Sequence, residues 1–566
     1  MARTIGMGIQ SFEKIRERQC LYVDKTGFIK EWWENQDDVT LITRPRRFGK
    51  TLNMSMLEQF LSLEYADKGE LFEGLFIWEE EKYQKMQGTF PVISLSFAGV
   101  KESSYPEAKH MICQLLTNLY SHFDSLRDGN WLTDKDLAYW DRVSADMKES
   151  DASMALYQLS GYLYRRYGKK VIILLDEYDT PMQEAYVHGY WKELVEFIRG
   201  IFNFAFKTNP YMDRAVMTGI TRVSKESIFS DLNNLTVVTS TSELYAESFG
   251  FTEAEVGMAL EECGMKAQMS TVKLWYDGFA FGHHTEIYNP WSILNFLKEK
   301  KVSAYWTNTS SNHLAGKLVR EGNPDIKQTM EELLCGKSFR APVDEQIVYE
   351  QLDQDETAIW SLLLASGYLK VLHYEEYMTE YGEWVQDYEL TLTNFEVKVM
   401  FRNLIRSWFG VVKSDYHNFT KALLQGDLEA MNTCMNRISE EIFSSFDTGR
   451  KSSGRSEPER FYHGFVLGLL VDLNDRYVLT SNRESGYGRY DVQLEPRKET
   501  DDAVLLEFKV RDSKNEDSLE ETVENALAQI ESRDYAAGLR QKGIQEERIR
   551  KYGFAFEGKR VRIGQA

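Results

Sequence analysis

The chain has 566 residues, 43% of them hydrophobic and 13% aromatic, and this composition excludes an intrinsically disordered protein. Its 88 acidic and 67 basic residues give a net charge of −21, which argues against a chain that coats nucleic acid generally but leaves room for a local basic site. Because a single core rarely grows beyond about 300 residues, the length predicts two or three domains.

Cysteine usage and hydropathy favour a cytoplasmic protein. The five cysteines lie far apart, so the sequence predicts neither a zinc site nor a disulfide framework. The first residues lack the apolar core of a secretory signal, and no run of ~18 apolar residues predicts a membrane span.

The stretch Val39–Thr51 (VTLITRPRRFGKT) resembles a phosphate-binding loop. A β-branched run is followed by a basic turn and then by a helical pattern, so backbone N–H groups at a helix N-terminus would face an anion. Lys50 would add a positive charge, and the Thr51 hydroxyl could hold Mg²⁺. The first glycine of the full G-x-x-x-x-G-K-[ST] pattern falls on Arg44, so an ordinary basic strand-to-helix turn remains an alternative.

A second motif supplies the acids that such a loop needs. The apolar run Val171–Leu175 predicts a strand buried on both faces of a parallel sheet, and it delivers Asp176 and Glu177 at its carboxyl end. Asp176 is placed to contact Mg²⁺ through water, and Glu177 to polarise an attacking water. The alternative is a solvated acidic loop. The candidate nucleotide-binding residues are Arg46, Arg47, Phe48, Gly49, Lys50, Thr51 and Asp176.

The next predicted strand, Ala215–Gly219, carries candidate sensors of a γ-phosphate at its tip. Thr218 or Thr221 could sense the phosphate, and Arg222 could compensate its charge. A surface or structural role for Arg222 remains open.

Three domains are predicted, at residues 1–295, 296–450 and 457–566. The middle region is expected to be mainly helical, with possible strands at Leu362–Val371 and Tyr388–Leu392. The polar segment Lys451–Glu457 is the best linker candidate, and an apolar helix is expected at Phe461–Leu473.

The last domain has the predicted order α-β-β-β-α-β, with a candidate active site in its hairpin. If the turn centres near residue 499, Asp491 lies opposite Glu507, with Cβ atoms about 5 Å apart. Lys509 shares the face of Glu507 because the two are separated by two positions on one strand. The alternative is a solubilising edge hairpin, but both charges interrupt a strongly apolar strand, and burying unpaired charge is costly.

Two carboxylates beside a lysine fit a Mg²⁺-dependent phosphodiesterase. Asp491 and Glu507 would hold the metal, and Lys509 would orient water or stabilise developing charge. Glu484 is a weaker third acid, and Gln529 is expected either to touch the site or to be merely a partly exposed residue. The basic excess over residues 542–562 suits a phosphate backbone, with a solvated face as the alternative.

Longer phrases place both regions in known families. Residues about 5–295 resemble the bacterial and archaeal AAA-ATPase-like family, and residues about 460–560 resemble the PD-(D/E)XK nuclease superfamily. The first match lies in YVDKT (22–26), RPRRFGKT (44–51), ILLDEYDTP (173–181), TGITRVS (218–224), FGFTEAEV (249–256), YDGF (276–279) and YNPWSI (288–293). The second lies in YHG (462–464), GYGRYDV (486–492), LLEFKV (505–510), ALAQI (526–530) and YGFAFEGKRV (552–561).

The resemblance implies an α/β chain. It would have an N-terminal P-loop NTPase-type parallel sheet flanked by helices, a helical middle region and a C-terminal restriction-endonuclease-like domain. It carries the Walker A role onto Lys50 and Thr51 and the Walker B role onto Asp176 and Glu177. The nuclease role falls on Asp491, Glu507 and Lys509.

The expected function is an ATP- and Mg²⁺-dependent nuclease that acts on nucleic acid, with DNA favoured over RNA, in genome defence or mobile-element biology. The alternative is a nucleotide-regulated switch or binding protein whose nuclease-like domain does not cleave. A homo-oligomer is compatible with either hypothesis.

Overall fold

The protein is described by a computed structural model, in which the chain forms two compact units. Unit 1 comprises Met1–Ala315 and Phe339–Lys398, and unit 2 comprises Gly316–Ser338 and Val399–Ala566. The described residues are 3–221, 229, 232–308, 315–316, 318–319, 324–334, 336–343, 356–378, 382, 384–408, 413–442, 466, 470, 473, 476–485, 488–512 and 515–566.

The domain boundaries at residues 295, 450 and 457 stay predictions. The two units nevertheless divide the chain differently, since the region expected to form a separate middle domain contributes residues to both units.

Strands and helices are numbered in chain order. The strands are β1 Val39–Thr43, β2 Val92–Ser96, β3 Val171–Asp176, β4 Met212–Gly219, β5 Leu235–Val238, β6 Phe251–Thr252, β7 Asp277–Phe281, β8 His284–Tyr288, β9 Phe339–Ala341, β10 Leu369–Met378, β11 Trp384–Leu392, β12 Tyr477–Ser485, β13 Gly488–Pro496, β14 Ala503–Val510, β15 Ile549–Glu557 and β16 Arg560–Gln565.

The helices are α1 Phe12–Glu17, α2 Gly27–Asn35, α3 Lys50–Leu61, α4 Glu81–Gln84, α5 Tyr105–His122, α6 Asp134–Trp140, α7 Glu149–Tyr167, α8 Thr180–His188, α9 Trp191–Phe202, α10 Glu253–Glu262, α11 Met269–Tyr276, α12 Pro290–Glu299, α13 Pro324–Leu334, α14 Glu356–Ala365, α15 Phe395–Trp408, α16 Lys413–Gln425, α17 Leu428–Ile442, α18 Leu519–Ser532 and α19 Ala537–Gln541.

A parallel sheet forms the centre of unit 1. Its described strands follow the order β2-β3-β4-β1-β5, and every neighbouring pair is parallel. All residues of β1 and β3 are buried, as expected for apolar strands covered on both faces. The predicted N-terminal parallel sheet flanked by helices is therefore confirmed, and β1, β3 and β4 bring their carboxyl ends to one edge.

Unit 1 also contains two small antiparallel sheets, with the orders β6-β8-β7 and β10-β11-β9. The strand predicted at Leu362–Val371 is wrong over its first half, because α14 continues to Ala365 and β10 begins only at Leu369. A continuous apolar run does not distinguish a strand from a buried helix. Gly367, with φ +83°, separates the two elements.

Unit 2 is built on a mixed sheet with the order β12-β13-β14-β15-β16. Neighbouring strands are antiparallel except β14 and β15, which are parallel and joined through α18. The predicted strands and helix are present, and β16 follows them as an additional strand. A C-terminal α/β domain is therefore confirmed.

The linker Lys451–Glu457 and most of the helix predicted at Phe461–Leu473 lie outside the described residues. Among the described helices, none is long and apolar enough to cross a membrane.

Candidate functional sites

The loop between β1 and α3 has the geometry of an anion site. Gly49 is the N-cap of α3 with φ +86° and offers no side-chain acceptor, so the first N–H groups of the helix are left open to an anion. The buried Lys50 Nζ donates to the carbonyl oxygens of Arg44 at 2.8 Å and Pro45 at 2.9 Å. Burial lowers the pKa of Lys50, and nearby carboxylates oppose that shift.

Thr51 and Asp176 meet across the sheet edge. The Thr51 hydroxyl donates to Asp176 Oδ2 at 2.7 Å, and the Thr218 hydroxyl donates to Asp176 Oδ1. Burial raises the pKa of Asp176, while these two hydrogen bonds act against the increase. A hydroxyl and a carboxylate oxygen side by side are ligands that Mg²⁺ accepts, so the residues present fit this ion.

Glu177 is held in an unusual backbone conformation. Its φ of +51° lies in the left-handed region, which is rare for a residue with a side chain and often marks functional sites. Its N–H donates to the Thr218 hydroxyl oxygen at 3.2 Å, and its Oε2 accepts from the Thr180 hydroxyl at 3.2 Å. Thr218, a candidate phosphate sensor, thus hydrogen-bonds both to Asp176 at the end of β3 and to Glu177, which follows it.

Arg44 is a structural clamp. Its side chain is fully buried, and Nη1 donates to the carbonyl oxygens of Thr43 at 2.9 Å and Thr239 at 2.6 Å. The guanidinium carbon lies 4.3 Å from the centre of the Phe281 ring. Burial lowers the pKa of Arg44 to about 9. These contacts make Arg44 a clamp between core carbonyl groups and do not leave its charge facing an anion.

The next three loop residues differ in their surroundings. The half-buried Arg46 donates from Nη2 to Gln183 Oε1 at 3.1 Å. The exposed Arg47 has φ +66°, and its guanidinium lies over Trp291 at 4.6 Å. Phe48 is buried in the aromatic core of the unit. A side-chain contact with nucleotide is therefore geometrically easier for the two arginines than for Phe48.

The predicted register of the second site is present in unit 2. The pairs Val492–Leu506, Gln493–Leu505 and Leu494–Val504 centre the hairpin on residue 499. Continuing that register by one pair brings Asp491 opposite Glu507. Asp491 Oδ2 accepts from the backbone N–H of Phe508 at 2.8 Å, which fixes the carboxylate against β14.

Gln529 on α18 joins the charged groups of this site. Its amide nitrogen donates to the buried Glu507 Oε1 and, at 3.0 Å, to the Tyr535 hydroxyl oxygen. Its amide oxygen accepts from Lys509 Nζ at 2.8 Å. Gln529 therefore occupies the centre of the site. The sequence indicates only that Gln529 could contact the site residues, because nothing in the local pattern shows which face of α18 meets β14.

Burial of Asp491 raises its pKa to about 6, against the effects of the Phe508 N–H and the Lys509 charge. Two facing carboxylates fit a hard divalent ion such as Mg²⁺. Within the part of the chain that the structure describes, no group of three or more His, Cys, Asp or Glu side chains could hold a metal. The side chain of Glu484, the weaker third acid, lies outside the described residues.

The basic C-terminal stretch is largely neutralised by its own unit. Arg548 and Arg550 pair with Asp502 at 3.4 and 2.6 Å. Lys551 pairs with Glu531 at 2.8 Å and with Glu546 at 2.6 Å. These ion pairs favour the solvated-face interpretation over a surface that binds a phosphate backbone.

Comparisons with known proteins agree with both regions. Residues 6–229 match the sequence model of the predicted AAA-ATPase family, and residues 457–566 match that of the PD-(D/E)XK nuclease superfamily. Both family resemblances are confirmed. The roles of the individual site residues stay predictions.

A protein of Azotobacter chroococcum mcd 1, described as an uncharacterized protein in the vnfD 5′ region, is 26% identical over 333 residues. The match covers 58% of this chain and 59% of that relative, less than two thirds of its length.

Proposed function

We propose that the protein is a Mg²⁺-dependent ATPase joined to a Mg²⁺-dependent nuclease that cleaves nucleic acid. DNA is the favoured substrate. The biological role is defence against foreign DNA or a function in mobile-element biology. The observation that carries the proposal is the convergence of Asp491, Glu507 and Lys509 at the β13–β14 pair, with Glu507 and Lys509 joined by Gln529. A buried strand does not accumulate charged groups without a reason, because each is costly to desolvate.

In the ATPase region, each polar group has a distinct task. Lys50 leaves the carbonyl oxygens of its own loop and places its charge on the β- and γ-phosphates. Thr51 and Asp176 would hold Mg²⁺, which when bound would neutralise phosphate charge. Glu177 accepts a hydrogen bond from the attacking water and orients it toward the γ-phosphate.

In the nuclease region, Asp491 and Glu507 would hold the metal from neighbouring strands. Mg²⁺ supplies charge stabilisation at the scissile phosphate when bound. Lys509 orients the attacking water or donates a hydrogen bond to the developing negative charge. Gln529 keeps the Glu507 carboxylate and the Lys509 ammonium in fixed positions.

The test is cleavage of supercoiled plasmid, single-stranded DNA and RNA by the full chain with Mg²⁺, with and without ATP. We expect cleavage that Glu507→Gln and Lys509→Ala each reduce by about 100-fold or more, because each removes a group that acts on the reacting phosphate. Lys85→Ala, which breaks an exposed ion pair with Glu81 far from this stretch of the chain, is the control. Equal cleavage by wild type and both site variants would contradict the proposal.

A second function is a nuclease-like domain that binds nucleic acid without cleaving it. The observation that favours it is that Lys509 Nζ and Glu507 Oε1 are both hydrogen-bonded to the Gln529 amide, so both charged groups are already occupied. Retention of labelled DNA in a mobility-shift assay, together with intact DNA after incubation with Mg²⁺ and ATP, would establish this second function.

A further inference from the structure

Gln183 on α8 connects the phosphate-binding loop with the acidic segment after β3. Its Oε1 accepts from Arg46 Nη2 at 3.1 Å, and its Nε2 donates to Asp179 Oδ2 at 3.4 Å. A guanidinium can only donate and an ionised carboxylate can only accept, so the two partners define the orientation of the amide.

Asp179 is a rigid anchor for this connection. It is 1% exposed, and its Oδ2 accepts from the backbone N–H groups of Ile220 and Thr221, both at 2.9 Å. The Thr221 hydroxyl donates to the same oxygen at 3.0 Å. Neighbouring Tyr178 donates from its hydroxyl to the Thr221 carbonyl oxygen at 2.8 Å. The loop after β4 and the segment after β3 are thereby fixed to each other.

Gly219 makes this close approach feasible. A Cβ at this position would lie 2.7 Å from a ring carbon of Tyr178 and 2.8 Å from Asp179 Oδ1. Any side chain would push the two segments apart. The hydrogen bonds of Asp179 therefore depend on a glycine at the end of β4.

The backbone of Arg46 is also fixed by hydrogen bonds. Its carbonyl oxygen accepts from the indole N–H of Trp306 at 2.9 Å and from the Asn289 amide at 3.3 Å. The backbone is thus fixed while the half-buried side chain extends to Gln183. Arg44, by contrast, has its guanidinium committed to carbonyl oxygens of the core.

Arg46 follows directly on a residue that Lys50 contacts. The Lys50 Nζ donates to the carbonyl oxygen of Pro45 at 2.9 Å, and Arg46 is the next residue in the loop. Two cations that repel each other at the start of α3 are stabilised when an anion lies between or beside them. Arg46 therefore stands near the place where the phosphates of a nucleotide would contact Lys50.

We propose that Gln183 is a positioning residue that holds the Arg46 guanidinium toward the phosphates of bound ATP, and that Asp179 fixes Gln183 for this task. The inference rests on the proposed ATPase function. It assigns to Arg46 the phosphate-facing charge that the buried Arg44 does not provide, and it gives the second aspartate of the DEYD segment a role distinct from those of Asp176 and Glu177.

The test is a double-mutant cycle in the full chain with Arg46→Ala and Gln183→Met. Methionine keeps the length of the glutamine side chain and removes both hydrogen bonds. The readouts are the Kd of a fluorescent ATP analogue with Mg²⁺ and the kcat and KM of ATP hydrolysis. We expect each single variant to weaken analogue binding or kcat/KM by about tenfold, and the double variant to be no worse than Arg46→Ala, because Gln183 acts through Arg46.

Two further variants make the cycle decisive. Gln114→Met, at a half-buried position of α5 whose amide donates to the Asn118 side chain, should stay within about twofold of wild type. Gln183→Glu keeps a polar side chain at this position and serves as the test variant if Gln183→Met is unstable. Its carboxylate would pair with Arg46 and compete with phosphate, so nucleotide affinity should again fall by about tenfold.

The outcomes separate the two proposals. If the wild-type protein binds no MgATP analogue, the proposed ATPase function is wrong, and the proposed role of Gln183 is then wrong too. If wild type binds and hydrolyses ATP but both Gln183 variants stay within about twofold of it, only the positioning role is overturned. Penalties that multiply in the double variant also overturn that role, since they would show that Gln183 acts independently of Arg46.

Discussion

The Thr51 hydroxyl joins the loop after β1 to the acid at the end of β3, although the two residues are 125 positions apart in the chain. Valine has nearly the shape of threonine, so Thr51→Val removes the hydroxyl and leaves little cavity. We expect the Mg²⁺-dependent part of ATP affinity to fall about tenfold, because a metal ligand and a hydrogen bond to Asp176 are lost.

Isothermal titration calorimetry with Mg²⁺ and with EDTA separates the two contributions, and binding in EDTA should change by less than about twofold. Thr117→Val, which removes a hydroxyl bonded within α5, is the matched control. An equal loss of affinity with and without Mg²⁺ would show that Thr51 contacts the nucleotide itself and not the metal.

A buried carboxyl group should make the stability of unit 1 depend on pH. Glu396 is 1% exposed, accepts hydrogen bonds from Ser292, Trp306 and Thr307, and has its pKa raised by burial to about 7 from a usual 4.5. Between these two values the folded chain binds a proton that the unfolded chain has released. The free energy of unfolding should therefore decrease by roughly 3 kcal/mol as the pH rises from about 4.5 to about 7, and level off above that.

Glu396→Gln should remove this dependence. A glutamine oxygen can still accept from the Trp306 and Thr307 N–H groups, and its amide can donate to the Ser292 hydroxyl oxygen. The difference in unfolding free energy between pH 5 and pH 8, measured by urea denaturation, should be smaller in the variant than in wild type. If both proteins show the same pH dependence of the unfolding free energy, that dependence arises from titratable groups other than Glu396.

At the scale of elements, α17 protects the edge of the C-terminal sheet. Asn432 exchanges two hydrogen bonds with the backbone of Ile563, at 2.8 and 2.9 Å, and Asn436 does the same with Val561 at 2.7 and 3.0 Å. Each amide thus replaces a neighbouring strand for one residue of β16, and exposed strand edges otherwise favour aggregation.

Alanine at either asparagine should lower the free energy of unfolding of unit 2 by about 1–3 kcal/mol, because a backbone donor and acceptor lose their partners together. Asn525→Ala, at an exposed position whose amide donates to the Glu516 side chain, should cost less than about 0.5 kcal/mol. Chemical denaturation of the full chain, followed by the signal of unit 2, measures both. Equal effects at all three positions would argue that the edge contacts add nothing specific.

The local sequence pattern is enough to predict those elements whose structure depends on residues close to them in the chain. The run Val171–Leu175 predicted a buried parallel strand, and the position of the β13–β14 turn predicted that Asp491 would face Glu507. Both predictions rest on chain geometry, since strand type follows from apolar content and hairpin register from the turn.

Elements and contacts that depend on distant partners were not predictable in this way. The run at Leu362–Val371 fits a helix and a strand equally, and the turn at Gly367 decides between them. The short strand β16 was missed, although RVRIGQ alternates exposed and buried residues over its first four positions. Gln183 and Gln529 gave no signal of their own, because a glutamine on a helix becomes informative only when the groups opposite it are known.

At the scale of the whole molecule, the core of unit 2 extends beyond the region that matches the nuclease superfamily. That region begins at residue 457, whereas α16 and α17 end before it. Their side chains Phe419, Leu423, Met431 and Met435 are completely buried in one cluster with the apolar face of the C-terminal sheet. The four side chains together stabilise the unit by roughly 6 kcal/mol or more, since each buried side chain of this size contributes about 1.5–3 kcal/mol.

A fragment that begins at residue 457 should therefore fail to fold cooperatively, because a loss of this size is comparable to the whole stability of a typical domain. A fragment Val399–Ala566 keeps both helices, omits only the Gly316–Ser338 part of unit 2, and should show a sigmoidal urea transition by circular dichroism. Dye binding to exposed apolar surface should be strong for the shorter fragment and weak for the longer one. A cooperative transition of the shorter fragment at the same urea midpoint would show that α16 and α17 only cover the sheet, and that the nuclease-like region needs nothing upstream of residue 457 to fold.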